Sequence, residues 1–505
     1  MRILFWLVLA VVPACAKVCN VREYGATGNR AETATKAIQA AIDDCAAAGG
    51  GTVLVPPGDY TTGSVRLKDN IELHVEAGAT VYASRDRSEL NQDWRALLYA
   101  NGAKHIGVTG GGTIDGQAQY EWSAPRQEDP EIAGERAIAE KAGLEMKRYN
   151  HAGPGLFLVV FIDSTDLRFE GIQLIHSQFW TVRLLGCERV SIRGVYVYTD
   201  PQRAVNGDGI DLVSTRDVLI SDSEIVTGDD SIVLKTEPVN GGPARPTENI
   251  AVSNSILQSS STPLMIGTET LADIRHVVFS NCIIRDSNKA FGINVQDGAT
   301  VEDIRFTNIT FELNRRHWNW WGNAEVFYFV LKRRTPQSKL GAIRNIVIDG
   351  ASGTARGTSR VLGNEGRAVE SLTIRNLDIR QLAEDAKDKR AVDAMRFDRV
   401  EGLRLENVRV RWDDAQPEPG WKSAVALERV RRVEIDGLSV RQGLLGGQAP
   451  TVSFADVDGG WVRGVSAQPG TGVLFGTSSN VTNVRFSNND GRNAAKEFPP
   501  ALKGF

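Results

Sequence analysis

Two acidic turns carry the residues best suited to chemistry in this 505-residue chain. The first is "NGDGIDL", spanning 206–212, and the second is "GDDS", Gly228–Ser231. Asp208 and Asp211 belong to the first turn, Asp229 and Asp230 to the second. Carboxylates held close together cannot all ionise freely, so at least one keeps a proton. One such group can protonate a leaving oxygen while another activates water, which is what hydrolysis of a glycosidic bond requires. Asp also closes turns with no chemistry attached. The question is whether the fold brings the two turns together.

The elements that would do so are legible as a repeat. "RVSIRGVYV" (189–197) returns as "DVLISDSEI" (217–225), "NIAVSNSIL" (249–257), "HVVFSNCII" (276–284) and "DIRFTNITF" (303–311). It continues through "NIVIDGASG" (345–353), "SLTIRNLDI" (371–379), "GLRLENVRV" (402–410) and "RVEIDGLSV" (432–440). Most offsets are roughly 26 to 32 residues, inside the usual range of solenoid periods. Each unit is a short alternating strand, a polar corner and a second strand. No unit can bury its apolar face alone, so stacked coils, an all-β solenoid, are expected. Propeller blades need roughly 40–50 residues each, longer than most of these units. Corner residues Asn254, Asn281 and Asn308 are placed to hydrogen-bond from coil to coil. The step from Asp208 to Asp229 is about one coil, so the two are expected on neighbouring coils facing one groove.

A solenoid end must be covered. "TATKAIQAAIDDC" places Ile38, Ile42 and Cys45 on one helical stripe, with Thr33 or Thr35 as N-cap, and is read as an N-terminal capping helix. The stretch 117–152, charged and helix-prone, breaks the rhythm and is read as an insertion beside the groove. Positions 1–16, with Arg2, an apolar run and "ACA", have the form of a signal peptide cleaved after Ala16, leaving 17–505 as one secreted β-helix domain. Of the cysteines beyond that point, Cys19 and Cys45 can pair, while Cys187 and Cys282 read as buried thiols. The formal charge of −4 argues against a nucleic-acid partner. No later segment reads as membrane-spanning; a monomer with no cofactor and no metal is expected.

The acidic turns resemble a known pattern. "NGDGIDL" is similar to the Asn-x-Asp-Gly-x-Asp motif of polygalacturonases, glycoside hydrolase family 28, and "TGDDSIVLK" to their Asp-Asp motif. "AIDDCAAAGGGTVLVPPGDYTTGSVRLKDNIELHVEAGATV" and "SQFWTVRLLGC" resemble other stretches of the same enzymes, and the likeness weakens after about position 360. The resemblance implies a right-handed parallel β-helix and hydrolysis with inversion. It implies Asp229 as general acid and Asp208 and Asp230 as the pair that activates water; Asp211, three residues beyond Asp208, and Asn206 are read as supporting residues. The sequence departs from the pattern in two places. Ser261, in "SSSTPLMIGTET", stands where the family carries His. Asn294 and Gln296, in "FGINVQDG", stand where it carries the Arg and Lys that grip a uronate carboxylate.

Other residues are candidates to meet the sugar: His176 and Trp180 one coil earlier, Lys235 and Glu269, and the run "NRRHWNWWGNAE" (314–325) with Arg315, Arg316, Trp318, Trp320 and Trp321. Aromatic faces stack on sugar rings and arginine forks bind carboxylates. The reading is a secreted hydrolase of a pectic polysaccharide or its oligosaccharides, polygalacturonase-like with a rhamnogalacturonan-directed variant in view. A polysaccharide lyase or epimerase on the same fold, or a non-catalytic carbohydrate-binding β-helix, are the alternatives.

Overall fold

The computed structural model describes residues 17–93, 95–123, 130–141, 143, 151–152, 155–315 and 322–497. The segment read as a signal peptide, and Arg316, Trp318, Trp320 and Trp321, lie outside the described residues. Strands of the chain join in one sheet of 38 strands, paired in parallel from coil to coil as a right-handed β-helix. Successive coils stack in register, with local shifts at Leu234–Thr236 and Ile284–Ser287. Val190, Val218, Ile250, Val277, Ile304, Ile346, Leu372, Leu403 and Val433 form a single inward column. The alternation of the strands sends these β-branched and Leu side chains inside and their polar neighbours out. Every member of the column is buried. The apolar core is continuous from Cys19 to Val484. Phe279, Phe306 and Phe329 stack along it, with ring centroids 5.2 and 6.1 Å apart.

The corners close as the sequence suggests. Asn254, Asn281 and Asn308 take positive φ of 53°, 55° and 51°, the left-handed conformation Asn tolerates best. The side-chain amide of Asn308 donates to Asn281 at 2.8 Å, and that of Asn281 to Asn254 at 3.4 Å. Helix Thr35–Ala47 packs Ile38, Ile42 and Cys45 onto the first coils, and Cys45 is disulfide-bonded to Cys19. No side chain caps its first turn; the Thr35 hydroxyl accepts from the Gly63 N–H instead. Cys187 and Cys282 are free and buried, and burial pushes their thiols up to about 12 and about 11. Of the stretch 117–152, helix Pro130–Lys141 and a short antiparallel pair, Trp122–Ser123 with His151–Ala152, are described. Among the described residues no helix is long and apolar enough to cross a membrane.

One face of the solenoid positions the acidic turns. Strands Ile210–Val213, Ile232–Thr236, Leu264–Thr270, Lys289–Val295, Glu325–Leu331 and Ser359–Leu362 lie side by side in that order. Ile210 pairs with Ile232, so one coil carries position 208 onto 230 and not onto 229. Asp208 therefore stacks on Asp230. The backbone bond from Gly209 N–H to Asp230 O, 2.9 Å, fixes that stacking.

Candidate active site

Asp208, Asp229 and Asp230 leave the ends of two turns that run directly into this face. Each offers a carboxylate oxygen, and the three oxygens lie within 4.8 Å of one another. The residues are 3%, 6% and 8% exposed, so water does little to screen their mutual repulsion. Gly209 and Gly228 make the close approach possible. A Cβ at Gly209 would lie 2.4 Å from Ser231 O, and one at Gly228 would lie 2.4 Å from Ala204 O.

The hydrogen bonds separate the three groups. Asp229 accepts from the backbone N–H of Asn206 at 3.2 Å and from that of Asp230 at 2.9 Å. Asp230 accepts from the Thr262 N–H at 3.0 Å. Asp208 has one oxygen with no hydrogen-bond partner, and its other oxygen lies 3.7 Å from the Lys235 ammonium. Burial, then the neighbouring charges of Asp229 and Asp211, lift the Asp208 carboxyl well above the usual range. Burial and Asp230 push Asp229 up to about 7. Asp230 is raised by burial as well, against the pull of Lys289 and a hydrogen bond from Ser261.

Asp211 sits beneath this cluster, fully buried, with Lys235 at 3.2 Å. Burial carries Asp211 up to about 7 even so. The same burial works against the Lys235 cation, yet Asp211, Asp208 and Glu269 hold its pKa above the ordinary lysine value. Glu269 lies 3.6 Å from it, and the Trp180 ring covers it at 3.7 Å. Trp180 also stacks on Phe179 and lies within 5.8 Å of Phe157. Such a cage excludes water from one side of the carboxylates.

These groups open into a cavity of ≈ 450 Å³, within the range of ligand sites. Asn206, Asp208, Asp229, Asp230, Trp180, Lys235, Ser261, Glu269, Asn294 and Gln296 all line it, which gathers most of the residues singled out from sequence. Two others are elsewhere. His176 is not among the lining residues; its Nδ1 is tied to Asp115 at 3.0 Å and its ring meets Tyr198 edge-on. Arg315 is turned into the body, its guanidinium fully buried and bonded to Glu384 at 3.2 Å and Asp388 at 3.1 Å. The expectation that Arg315 grips substrate is therefore corrected: it ties the 384–388 loop to the coil, and an Arg in a strand-breaking run gave no sign of which way it would turn.

Sequence reading missed the cations that do face the cavity. Lys289, Lys332, Arg334, Arg360 and Arg390 line it, with Tyr328 and Glu325. Positions 294 and 296 are neutral, as the sequence states, yet the cavity is not. A signal existed. Gly292, Tyr328 and Arg360 occupy one outward column of consecutive coils. Both steps between them fall at or beyond the long end of the repeat spacing, which hid the equivalence.

The family model of glycosyl hydrolases family 28 matches residues 45–388. The chain belongs to that family. Among curated proteins it is similar to a probable polygalacturonase of Vitis vinifera, 24% identical over 345 residues, which covers 63% of this chain and 65% of that one. It is also similar to an exopolygalacturonase of Platanus acerifolia, 29% identical over 229 residues, covering 44% and 54%. The chain thus spans less than two thirds of the length of these relatives. Among solved structures, a hyperthermoactive exopolygalacturonase of Thermotoga maritima superposes with a TM-score of 0.61 at 23% identity over 78% of this chain and 92% of that one. The family 28 exopolygalacturonase of Yersinia enterocolitica gives 0.60 at 17% identity, covering 84% and 79%. At these identities the structures speak for the fold. The family match runs to position 388, through the region where the resemblance in the sequence weakens.

Proposed function

We propose that this member of family 28 is a secreted hydrolase of glycosidic bonds in a pectic polysaccharide or its oligosaccharides. The observation that carries the proposal is the buried trio Asp208, Asp229 and Asp230, with oxygens within 4.8 Å at the mouth of a sugar-sized cavity. Such a trio cannot ionise completely. The Lys235 ammonium lies 3.7 Å from Asp208 and makes no ion pair with Asp229. That ammonium offsets only part of the burial that lifts Asp208, so the proton is assigned to Asp229 on the family resemblance. Asp229 then protonates the leaving oxygen, and Asp208 with Asp230 orients and deprotonates water. Asp211 and Lys235 act beneath them as positioning residues. Asn206 contributes through its backbone N–H on Asp229.

Inversion is the outcome we infer from the family resemblance. Retention is the second reading, favoured by the closeness of the trio, whose nearest oxygens lie within 4.8 Å; carboxyl groups roughly 5–5.5 Å apart suit a covalent intermediate, whereas inverting pairs usually stand roughly 6.5–9.5 Å apart. Proton NMR of the first-formed anomer separates the two. The trio is also an oxygen-rich set that could hold a cation, as a lyase would require. Incubation with polygalacturonan, rhamnogalacturonan and aryl glycosides, with product analysis, tests the hydrolase reading. New reducing ends without the ultraviolet absorbance of an unsaturated sugar, unaffected by chelator, are expected. An unsaturated product would replace this reading with a lyase; no cleavage of any of them would remove it.

A further inference from the structure

The cation best placed for binding is Lys289. It is 5% exposed, and its ammonium makes no hydrogen bond or ion pair with any described residue. A buried ammonium without a partner is costly and uncommon. Its stem is held: a Cβ at Gly322 would meet the Lys289 methylenes at 2.8–3.1 Å, so the segment beside it packs along the chain and aims the head into the cavity. Arg360 stands near the same Tyr328 ring, its guanidinium 4.8 Å from the centroid while the Lys289 ammonium is 5.6 Å from it. Arg360 spends one contact on Glu325 at 3.3 Å, and its buried Nε has no partner. Gly292, next to Tyr328 in the same column, lets Met265 and Thr262 close in on the backbone there; a Cβ would lie 2.4 Å from Met265 Sδ.

We propose that Lys289 and Arg360, gathered around Tyr328, form an anion subsite that takes the charged group of a sugar, a carboxylate or a sulfate ester, while the sugar ring lies against Tyr328. These residues lie outside the acidic motifs and outside positions 294 and 296, and the proposal rests on the hydrolase reading only for the direction of catalysis. Lys289 is attracted by Glu325, Asp230 and Asp229 without an ion pair to any of them, so an anion held there sits next to the carboxylate trio. Burial lowers the Lys289 pKa, and a bound anion would offset that loss. Arg360 supplies the fork that a planar carboxylate or a sulfate oxygen pair accepts.

The test is calorimetric binding of galacturonate, galactose 6-sulfate and galactose to the full chain, its Lys289→Met and Lys289→Arg variants, and Arg360→Gln. One of the charged sugars should bind at least tenfold more tightly than galactose, and the one that does identifies the charged group. Lys289→Met keeps the stem and should lose at least tenfold in that affinity; Lys289→Arg should retain most of it. Arg360→Gln should lose less, and serves if Lys289→Met does not fold. Equal binding of all three sugars, or unchanged affinity in both neutralised variants, would overturn the subsite. Preference for a charged sugar without cleavage of any polymer would leave the subsite standing and remove the hydrolase reading. Cleavage without such preference would do the reverse.

Discussion

The coils around Asp208 and the coils after position 342 share one register and differ in almost everything else. In the later coils the strands run long and unbroken: Ala342–Ala355, Val369–Gln381, Val400–Trp412 and Val425–Val440. Many of their charges stay outside, in pairs between neighbouring coils. Arg375 meets Asp349 at 2.8 Å, Arg411 meets Asp378 at 2.9 Å, and Arg463 meets Asp436 at 2.6 Å. Asp349 feels some burial, but hydrogen bonds from Asn376 and Arg375 keep its carboxyl below the usual range. Around the cavity the strands are short, Ile210–Val213 and Ile232–Thr236, and the turns between them bury carboxylates with too few partners. Those carboxyls move up instead of down. The same residue type forms exposed pairs in one region and is buried with a raised pKa in the other, and the difference is desolvation without enough compensating hydrogen bonds.

Substitutions can break this contrast. Asp208→Asn or Asp230→Asn should lower the rate by roughly 10²- to 10⁴-fold on every substrate, because water activation is needed for each. Steady-state kinetics with a polymer and with an aryl glycoside would show it; loss confined to one substrate would contradict the assigned roles. Lys235→Met should cost about 3–5 kcal/mol of stability, because it leaves Asp211 and Asp208 buried without their cation. Urea unfolding should find that cost larger at pH 8 than at pH 5, where the two carboxyls take up protons.

The cluster also sets a pH dependence. Asp211 and Asp229 carry raised pKa values of about 7 against an ordinary 3.8. The folded state therefore binds more protons than the unfolded state between those values, and stability contributed by these groups is full below pH 3.8 and lost as pH rises through about 7. Thermal unfolding across that range should show the decline, and Asp229→Asn should flatten it. An unchanged slope in the variant would mean that Asp229 is not one of the groups responsible. At the other end of the scale, Arg375→Ala should change stability by about 0–1 kcal/mol and leave catalysis alone, as exposed pairs do. A large loss there would show that the outer charge ladder carries more of the fold than its exposure suggests.

Much of this contrast was legible in the sequence. The repeat announced coils, and the corner Asn residues announced the ladder Asn254–Asn281–Asn308. The two acidic turns were visibly about one coil apart. What was not legible depended on side-chain direction and on exact register. The one-residue shift that stacks Asp208 on Asp230 follows from the Ile210–Ile232 pairing, which no spacing count fixes. Arg315 turned inward because Glu384 and Asp388, far along the chain, form its partners. Lys289 belongs to no motif in the sequence; only the fold shows that it lines the cavity. His176 in such a run reads more often as a structural hydrogen bonder than as a ligand, and its Nδ1 is tied to Asp115.

The central claim is that Asp229 holds the proton delivered to the leaving group. The most direct measurement compares Asp229→Asn with the unaltered chain on a natural pectic substrate and on an aryl glycoside whose leaving group needs no proton. The substitution is nearly isosteric and removes a titratable group from a buried acidic cluster, so the melting temperature at neutral pH should hold or rise. The account predicts a loss of roughly 10²- to 10⁴-fold on the natural substrate and a much smaller loss on the activated one. Full activity of Asp229→Asn on the natural substrate, or equal losses on both, would contradict it.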